Sequence, residues 1–246
     1  MLGAALHTSE EVFLCGAVHG KVECYRRSLE IDPIGNALAW GNLGACMKES
    51  STVTIGGKKY EKFQCSVRAL EIDPSLYSVW YNLGNSIARG ESVSVSGCTV
   101  FKDTCYLRAV ERNPKFSAAW HNLGLCLDDG MVIDYGSEEY DSATCFVMAI
   151  LADESASDSW FRLGVTGVGR KSFLGRRWSN KECFAKAICL REDHAAAWEA
   201  LGRTLKVDDF VTIGSHQYTA DECIAKAQQL SPKQSGGEKS WRCAVS

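Results

Sequence analysis

"AAWHNLG", residues 118–124, decides the reading of this chain, because its core recurs. Trp40, Trp80, Trp120, Trp160 and Trp198 each stand three residues before a Leu-Gly pair, in "AWGNLG", "VWYNLG", "AWHNLG", "SWFRLG" and "AWEALG". The intervals are 40, 40, 40 and 38 residues. A cysteine ladder keeps the same step through Cys24, Cys65, Cys105, Cys145, Cys183 and Cys223, each four places before a small residue. The prolines Pro33, Pro74, Pro114 and Pro232 fall on the same lattice. Three residue types on one period mark an internal repeat, and a repeat array buries its apolar faces between neighbours instead of around one centre.

From each lattice Trp, apolar residues follow at i+3 and i+7 (Leu43 and Met47, Leu83 and Ile87, Leu123 and Leu127), which is one stripe of a helix. Gly44, Gly84, Gly124, Gly164 and Gly202 sit inside that pattern. Each costs about 1 kcal/mol against alanine, so the close approach of a second helix is expected there. That second helix is announced by "WSNKEC" and "YTADEC", where Ser179 or Thr219 is followed three places on by Glu182 or Glu222, the pattern of a capping box. It stops at "EIDP" or "ERNP", since proline does not continue a helix. Between the two helices, "VTIGGKKY", "VSVSGCTV" and "VTIGSHQY" place short β-branched strands around a two-residue Gly or Ser turn, which predicts a β-hairpin. The fourth unit shortens this piece to "SFLGRRW".

A first helix with W-x-x-L-G, a second with a small residue and a terminal Asp-Pro, and then the next unit: this resembles the tetratricopeptide repeat. The units run about 40 residues instead of the family's 34, and the extra residues fall in the hairpin. The family's usual aromatic four places after the motif's Gly is absent. The resemblance implies an all-α superhelix, or solenoid, with short β-hairpin insertions between paired helices. Its divisions are a truncated leading repeat over 1–34, repeats over 35–74, 75–114, 115–154, 155–192 and 193–232, and a flexible tail over 233–246. The leading unit matches only the second half of a repeat. This suggests a fragment of a longer array, or a start site at which an upstream unit was lost, and in either case an uncapped first repeat open to end-to-end self-association.

In arrays of this family the first helices line a concave wall, and an asparagine two places after the Trp grips the main chain of an extended peptide. The matching positions here are Asn42, Asn82 and Asn122, continued by Arg162 and Ala200. A carboxamide suits that task because it donates and accepts at once. Tyr81, His121 and Phe161, one place after each Trp, form a second stripe able to supply side-chain pockets. The expected function is a non-catalytic scaffold for a protein or peptide segment. The alternative is an architectural or self-assembling array whose asparagines bond neighbouring helices.

Other chemistry finds little support. A net charge of −3 with no basic stripe lacks the electrostatic drive for nucleic-acid binding. No apolar run approaches the roughly 20 residues of a membrane span, and no secretory signal opens the chain. "GVTGVGRKS", residues 164–172, imitates a phosphate loop, yet Arg170 separates its Gly from its Lys and it follows a helix. Arg170, Lys171, Arg176 and Arg177 form a basic cluster, read first as a solvated loop. The five histidines are scattered, without a partnered carboxylate or nucleophile at helical spacing, so no catalytic set, metal site or cofactor is expected. Twelve cysteines without a CxxC pair read as mostly buried, reduced thiols of an intracellular, cytoplasmic protein, with Cys15, Cys98, Cys189 and Cys243 less constrained.

Overall fold

A computed structural model describes residues 11–14, 17–128, 130–167 and 172–231. The phosphate-loop decoy, Arg170, Lys171, Cys15, Cys243 and the expected tail lie in whole or part outside these residues. The described elements are β1 (Glu11–Leu14), β2 (Ala17–Gly20), α1 (Lys21–Ile31), α2 (Ala37–Cys46), β3 (Thr52–Ile55), β4 (Lys58–Glu61), α3 (Lys62–Ile72), α4 (Tyr77–Ser86), β5 (Ser92–Val95), β6 (Cys98–Phe101), α5 (Lys102–Arg112), α6 (Ser117–Cys126), β7 (Val132–Tyr135), β8 (Glu138–Asp141) and α7 (Ser142–Ala152). They continue with α8 (Ser157–Thr166), β9 (Ser172–Phe173), β10 (Arg176–Arg177), α9 (Asn180–Leu190), α10 (Ala195–Thr204), β11 (Val211–Ile213), β12 (His216–Tyr218) and α11 (Ala220–Leu230). The architecture is helical, with a two-stranded antiparallel hairpin between paired helices.

The described residues fall into two compact units, one ending at Asp153 and one starting at Glu154. In the first, α2 pairs with α3, α4 with α5 and α6 with α7 across their hairpins, and α1–α2, α3–α4 and α5–α6 pack in succession. In the second, α8 pairs with α9 and α10 with α11, and α9 packs on α10. Among the described residues every helix is only 10 or 11 residues long. An isolated helix of that length is marginal in water, so the packed seams hold these together.

Each lattice tryptophan closes its own module. The five indoles are at most 5% exposed. Each Nε1–H donates to a carbonyl in the turn before its helix: Trp40 to Pro33, Trp80 to Pro74, Trp120 to Pro114 and Trp198 to Glu192 at 2.8 Å, and Trp160 to Glu154 at 3.0 Å. The indole thus staples the start of the helix while its ring supports the hairpin. Tyr60 lies 4.8 Å from Trp40, Tyr135 5.1 Å from Trp120, Trp178 4.5 Å from Trp160 and Tyr218 4.8 Å from Trp198. In the Trp80 module the matching strand residue is Val100, buried in the same apolar cluster as the indole. A lone hairpin is barely stable in water, and these contacts supply the missing support.

The hairpin turns are of the primed kind expected. Gly56 and Gly57 both have positive φ (56° and 77°), as do Ser96 (49°) and Gly97 (80°), the pattern of a type I′ turn. Register follows: Ile55 faces Lys58 and Val95 faces Cys98. The hairpins do not join into a ribbon; each described pair is a separate two-stranded sheet. Two hairpins not singled out in the sequence appear as well, β1–β2 and β7–β8. "VIDYGSEEYD" hid the latter behind four acidic residues.

The second helices begin and end as read. Ser179 with Glu182 and Thr219 with Glu222 form capping boxes, and Glu61 with Gln64 forms another. α1, α3 and α5 end one residue before Asp32, Asp73 and Asn113, each followed by proline. The first helices end one residue short of their stripe, so Met47, Ile87 and Leu127 are C-caps that remain buried.

Cys65, Cys105, Cys145, Cys183 and Cys223 are fully buried. Burial pushes the thiols of Cys65, Cys105 and Cys183 up to about 12 and that of Cys223 to about 11. They stay protonated at neutral pH and act as small apolar groups. Cys24 departs from this pattern and is half-buried, although the adjacent Tyr25 is buried. The other ladder cysteines sit on a helix that pairs with the first helix of its own module, and no such helix precedes α1 among the described residues. Cys98 and Cys189 are exposed.

Candidate functional site

The seam around each motif glycine explains where the expected site residues go. A Cβ built on Gly84 would meet the Tyr106 ring at 2.8 Å, on Gly124 the Phe146 ring at 2.9 Å, and on Gly164 the Phe184 ring at 2.5 Å. The cysteine Cβ follows at 3.2 Å for Gly84 and Gly124. The second helix does approach closely, and what it lays against the glycine is the ring of the residue after the ladder cysteine. That ladder of Tyr106, Phe146 and Phe184 was not picked out in the sequence. Its other members, Tyr25, Ser66 and Ile224, vary too much in chemistry to show a period.

The stripe one place after each tryptophan packs on these rings. Tyr81 lies 5.8 Å from Tyr106 and 4.9 Å from Phe116. His121 lies 5.5 Å from Phe146. Phe161 lies 6.0 Å from Phe184 and 4.8 Å from His194, with the Arg162 guanidinium 5.7 Å over its ring. All three stripe residues are half-buried and Arg162 is exposed. Their rings are largely committed to the seams between helices.

The asparagines stand apart from that stripe. Asn42, Asn82 and Asn122 are half-buried, and among the described residues no hydrogen bond joins them to one another. Asn122 Nδ2 donates to Asn85 Oδ1 at 3.1 Å, linking α6 to α4. The Tyr106 hydroxyl donates to the same oxygen at 2.7 Å. Burial raises the phenol above its ordinary range, so it is neutral and a donor. These three side chains floor a groove of about 630 Å3 whose walls include Phe101, Leu125 and Met131. That volume lies within the roughly 300–1,000 Å3 of small-ligand sites. At its mouth Arg89 and Asp128 form an ion pair. Asn85 is the residue that sequence reasoning missed; an amide after the motif glycine occurs once, so no period flags it.

In the second unit, Arg191 holds Asp158 with two hydrogen bonds of 3.0 and 2.7 Å. His194 caps α10, its Nδ1 accepting from the Ala197 amide at 3.4 Å, while Nε2 lies 3.4 Å from Asp158 Oδ1. Burial and then the Arg191 charge hold this imidazole below its ordinary value, against the opposing pull of Asp158 and Asp193. With the folded value depressed, the neutral ring is favoured in the fold. Its contribution is complete above the unfolded value, about 6.5, and is lost as pH falls through the folded one. His194→Asn keeps a cap acceptor and removes the titration. We expect the urea midpoint of the parent to fall more between pH 7 and pH 5 than that of the variant; equal falls would contradict this assignment.

The rest of the basic cluster is occupied locally. The Arg176 guanidinium lies 3.8 Å over the Trp178 ring and 3.0 Å from Glu182, and Arg177 is exposed. No helix among the described residues is long and apolar enough to cross a membrane.

A search of curated proteins gives no match. The tetratricopeptide repeat family model matches residues 105–143, from Cys105 in α5 through α6 and the β7–β8 hairpin. The matched segment holds the lattice Pro114, Trp120 and Gly124, and the same helix–hairpin–helix module stands on either side of it. Residues 105–143 are therefore a tetratricopeptide-like repeat, and the helical pair with an inserted β-hairpin seen there recurs along the described residues.

Proposed function

We propose that this chain is a non-catalytic protein-interaction scaffold that binds an extended peptide along its first helices, with Asn42, Asn82 and Asn122 meeting the peptide main chain. A tetratricopeptide repeat points to protein–protein interaction in general. The observation that carries the finer reading is the groove beside Asn122, where this half-buried carboxamide and the exposed one of Asn85 border open, partly apolar space. Three exposed hydrogen bonds at about 0.5–1.5 kcal/mol each amount to roughly 2–4 kcal/mol, which corresponds to no better than about millimolar affinity. Tyr81, His121 and Phe161 are packed into seams, so Phe101, Leu125 and Met131, each more than 40% exposed, have to supply the remainder. Arg162 and Phe161 belong to the second unit and would act on its own face.

The test is capture from a peptide library by the full chain. Replacing Asn82 and Asn122 together with Ala should abolish capture and leave the helical circular dichroism unchanged. Capture that survives the double replacement overturns the ladder role. One observation favours a second reading, in which the chain is an architectural or self-assembling array: Asn122 already bonds Asn85 and so helps fix the spacing of two first helices. Light scattering separates the two, because a mass that rises with concentration supports assembly, whereas a constant monomer that selects peptides supports the groove.

A further inference from the structure

The groove at Asn122 differs from its counterparts in composition. Where it has Asn85, the other modules have Ala45, Leu125, Val165 and Arg203; where it has Tyr106, they have Ser66, Phe146, Phe184 and Ile224. A phenyl ring fills the seam fully in two neighbouring modules, with Phe146 and Phe184 buried against their glycines. Packing alone therefore does not call for a phenol and two amides here.

The hydrogen bonds leave a definite remainder. Asn85 Oδ1 accepts from both Tyr106 and Asn122. Among the described residues nothing accepts from Asn85 Nδ2 and nothing donates to Asn122 Oδ1, so the floor offers one amide donor group beside one carbonyl acceptor. The groove is lined by two basic and three acidic side chains, Arg89 and Lys102 against Glu91, Asp103 and Asp128, so no excess of positive charge draws an anion. Arg89 is paired with Asp128, and Lys102 donates to the Ile87 carbonyl at 3.1 Å with Asp103 adjacent in sequence. A carboxylate would accept from Asn85 but face the lone pairs of Asn122; an ammonium would do the reverse. A primary carboxamide satisfies both, its oxygen on Asn85 Nδ2 and its NH2 on Asn122 Oδ1. The apolar walls of Phe101, Leu125 and Met131 suit a methylene stem above that amide.

We propose that this groove is a selectivity pocket for a glutamine side chain of the bound peptide, read by Asn85 and Asn122 and oriented by Tyr106. This rests on the peptide-binding reading, and its test is chosen to stand apart from it. The probe is N-acetyl-glutamine N-methylamide, added to the full chain labelled with 15N, with the glutamate and leucine analogues as controls. The glutamine probe should shift the side-chain NH2 resonances of Asn85 and Asn122, and the two controls should leave them in place. Asn85→Ala and Tyr106→Phe copy residues found at these places in neighbouring modules, so both variants are expected to fold. Asn85→Ala should abolish the remaining Asn122 shift, and Tyr106→Phe should weaken probe binding about tenfold.

In peptides identical except at one position, glutamine should exceed leucine and glutamate in affinity by about tenfold on the parent and by little on Asn85→Ala. Equal shifts from glutamate, or a glutamine preference that survives Asn85→Ala, overturn the pocket. Loss of library capture in the Asn82 and Asn122 variant beside silence from the glutamine probe would sink the pocket and leave the ladder standing. A probe shift without any peptide capture would do the opposite.

Discussion

Trp120→Ala should destabilise the chain by about 3–5 kcal/mol, the cost of truncating a fully buried large aromatic. Three contacts go at once. The cavity opens against Leu123 and the second helix, the Pro114 carbonyl loses the indole N–H that meets it at 2.8 Å, and the β7–β8 hairpin loses the ring under Tyr135 and Tyr140. The last has a local signature. Amides of Ile133 and Tyr140 should exchange faster relative to those of α6 and α7 in the variant than in the parent, because an unsupported hairpin is marginal. Trp120→Phe keeps a ring under the hairpin and removes the N–H, so its loss should include about 0.5–1.5 kcal/mol for the hydrogen bond and remain well short of the alanine variant. Chemical denaturation followed by far-ultraviolet circular dichroism measures both, and equal losses would show that the indole N–H and the ring support have been misjudged.

Gly164→Ala should also destabilise, against the usual gain of about 1 kcal/mol for alanine inside a helix. The new methyl would stand 2.5, 2.7 and 3.1 Å from three atoms of the Phe184 ring. Phe184 is itself 4% exposed and packed on Phe161 at 6.0 Å, so it has little room to retreat. Overpacking of this kind costs about 1–3 kcal/mol. The cause is separable by a double-mutant cycle: with Phe184→Ala in place the obstruction is gone, and Gly164→Ala should become neutral or stabilising. A coupling of about 1–3 kcal/mol is expected between two residues in direct contact. Additive losses would mean that Gly164 serves a purpose other than seating that ring. Gly202→Ala makes a contrast, since its Cβ would also meet the Ala220 carbonyl at 2.9 Å, a backbone atom that no side-chain trimming removes.

Much of this fold was legible because it depends on residues repeated at a fixed place. The tryptophans, cysteines and glycines gave the helix pairs, the serine and threonine caps gave the start of α9 and α11, and the Gly-Gly and Ser-Gly turns gave two of the hairpins. What stayed hidden depends on partners that change from one module to the next. The ring against each glycine alternates among Tyr106, Phe146 and Phe184 and gives way to Ser66 or Ile224, so the space is conserved in shape and not in letters. The polar floor of the groove occurs at a single junction, where Asn85 is brought to Asn122 from 37 residues away. Periodicity reports what every module shares, and is blind to the one place where a module differs. The rings of the second stripe were visible as residues, but their commitment to Tyr106, Phe146 and Phe184 required the packed helices to be seen.

The central claim is that one staple recurs in each module that carries a lattice tryptophan, an indole N–H bonded to a carbonyl in the preceding turn, with a hairpin packed on the same side of the module. Hydrogen exchange at the indole N–H of 15N-tryptophan-labelled protein tests it most directly. The account predicts that the indole protons of Trp40, Trp80, Trp120, Trp160 and Trp198 all exchange far more slowly than in the urea-unfolded chain. Exchange at the unfolded rate for any of the five would contradict it.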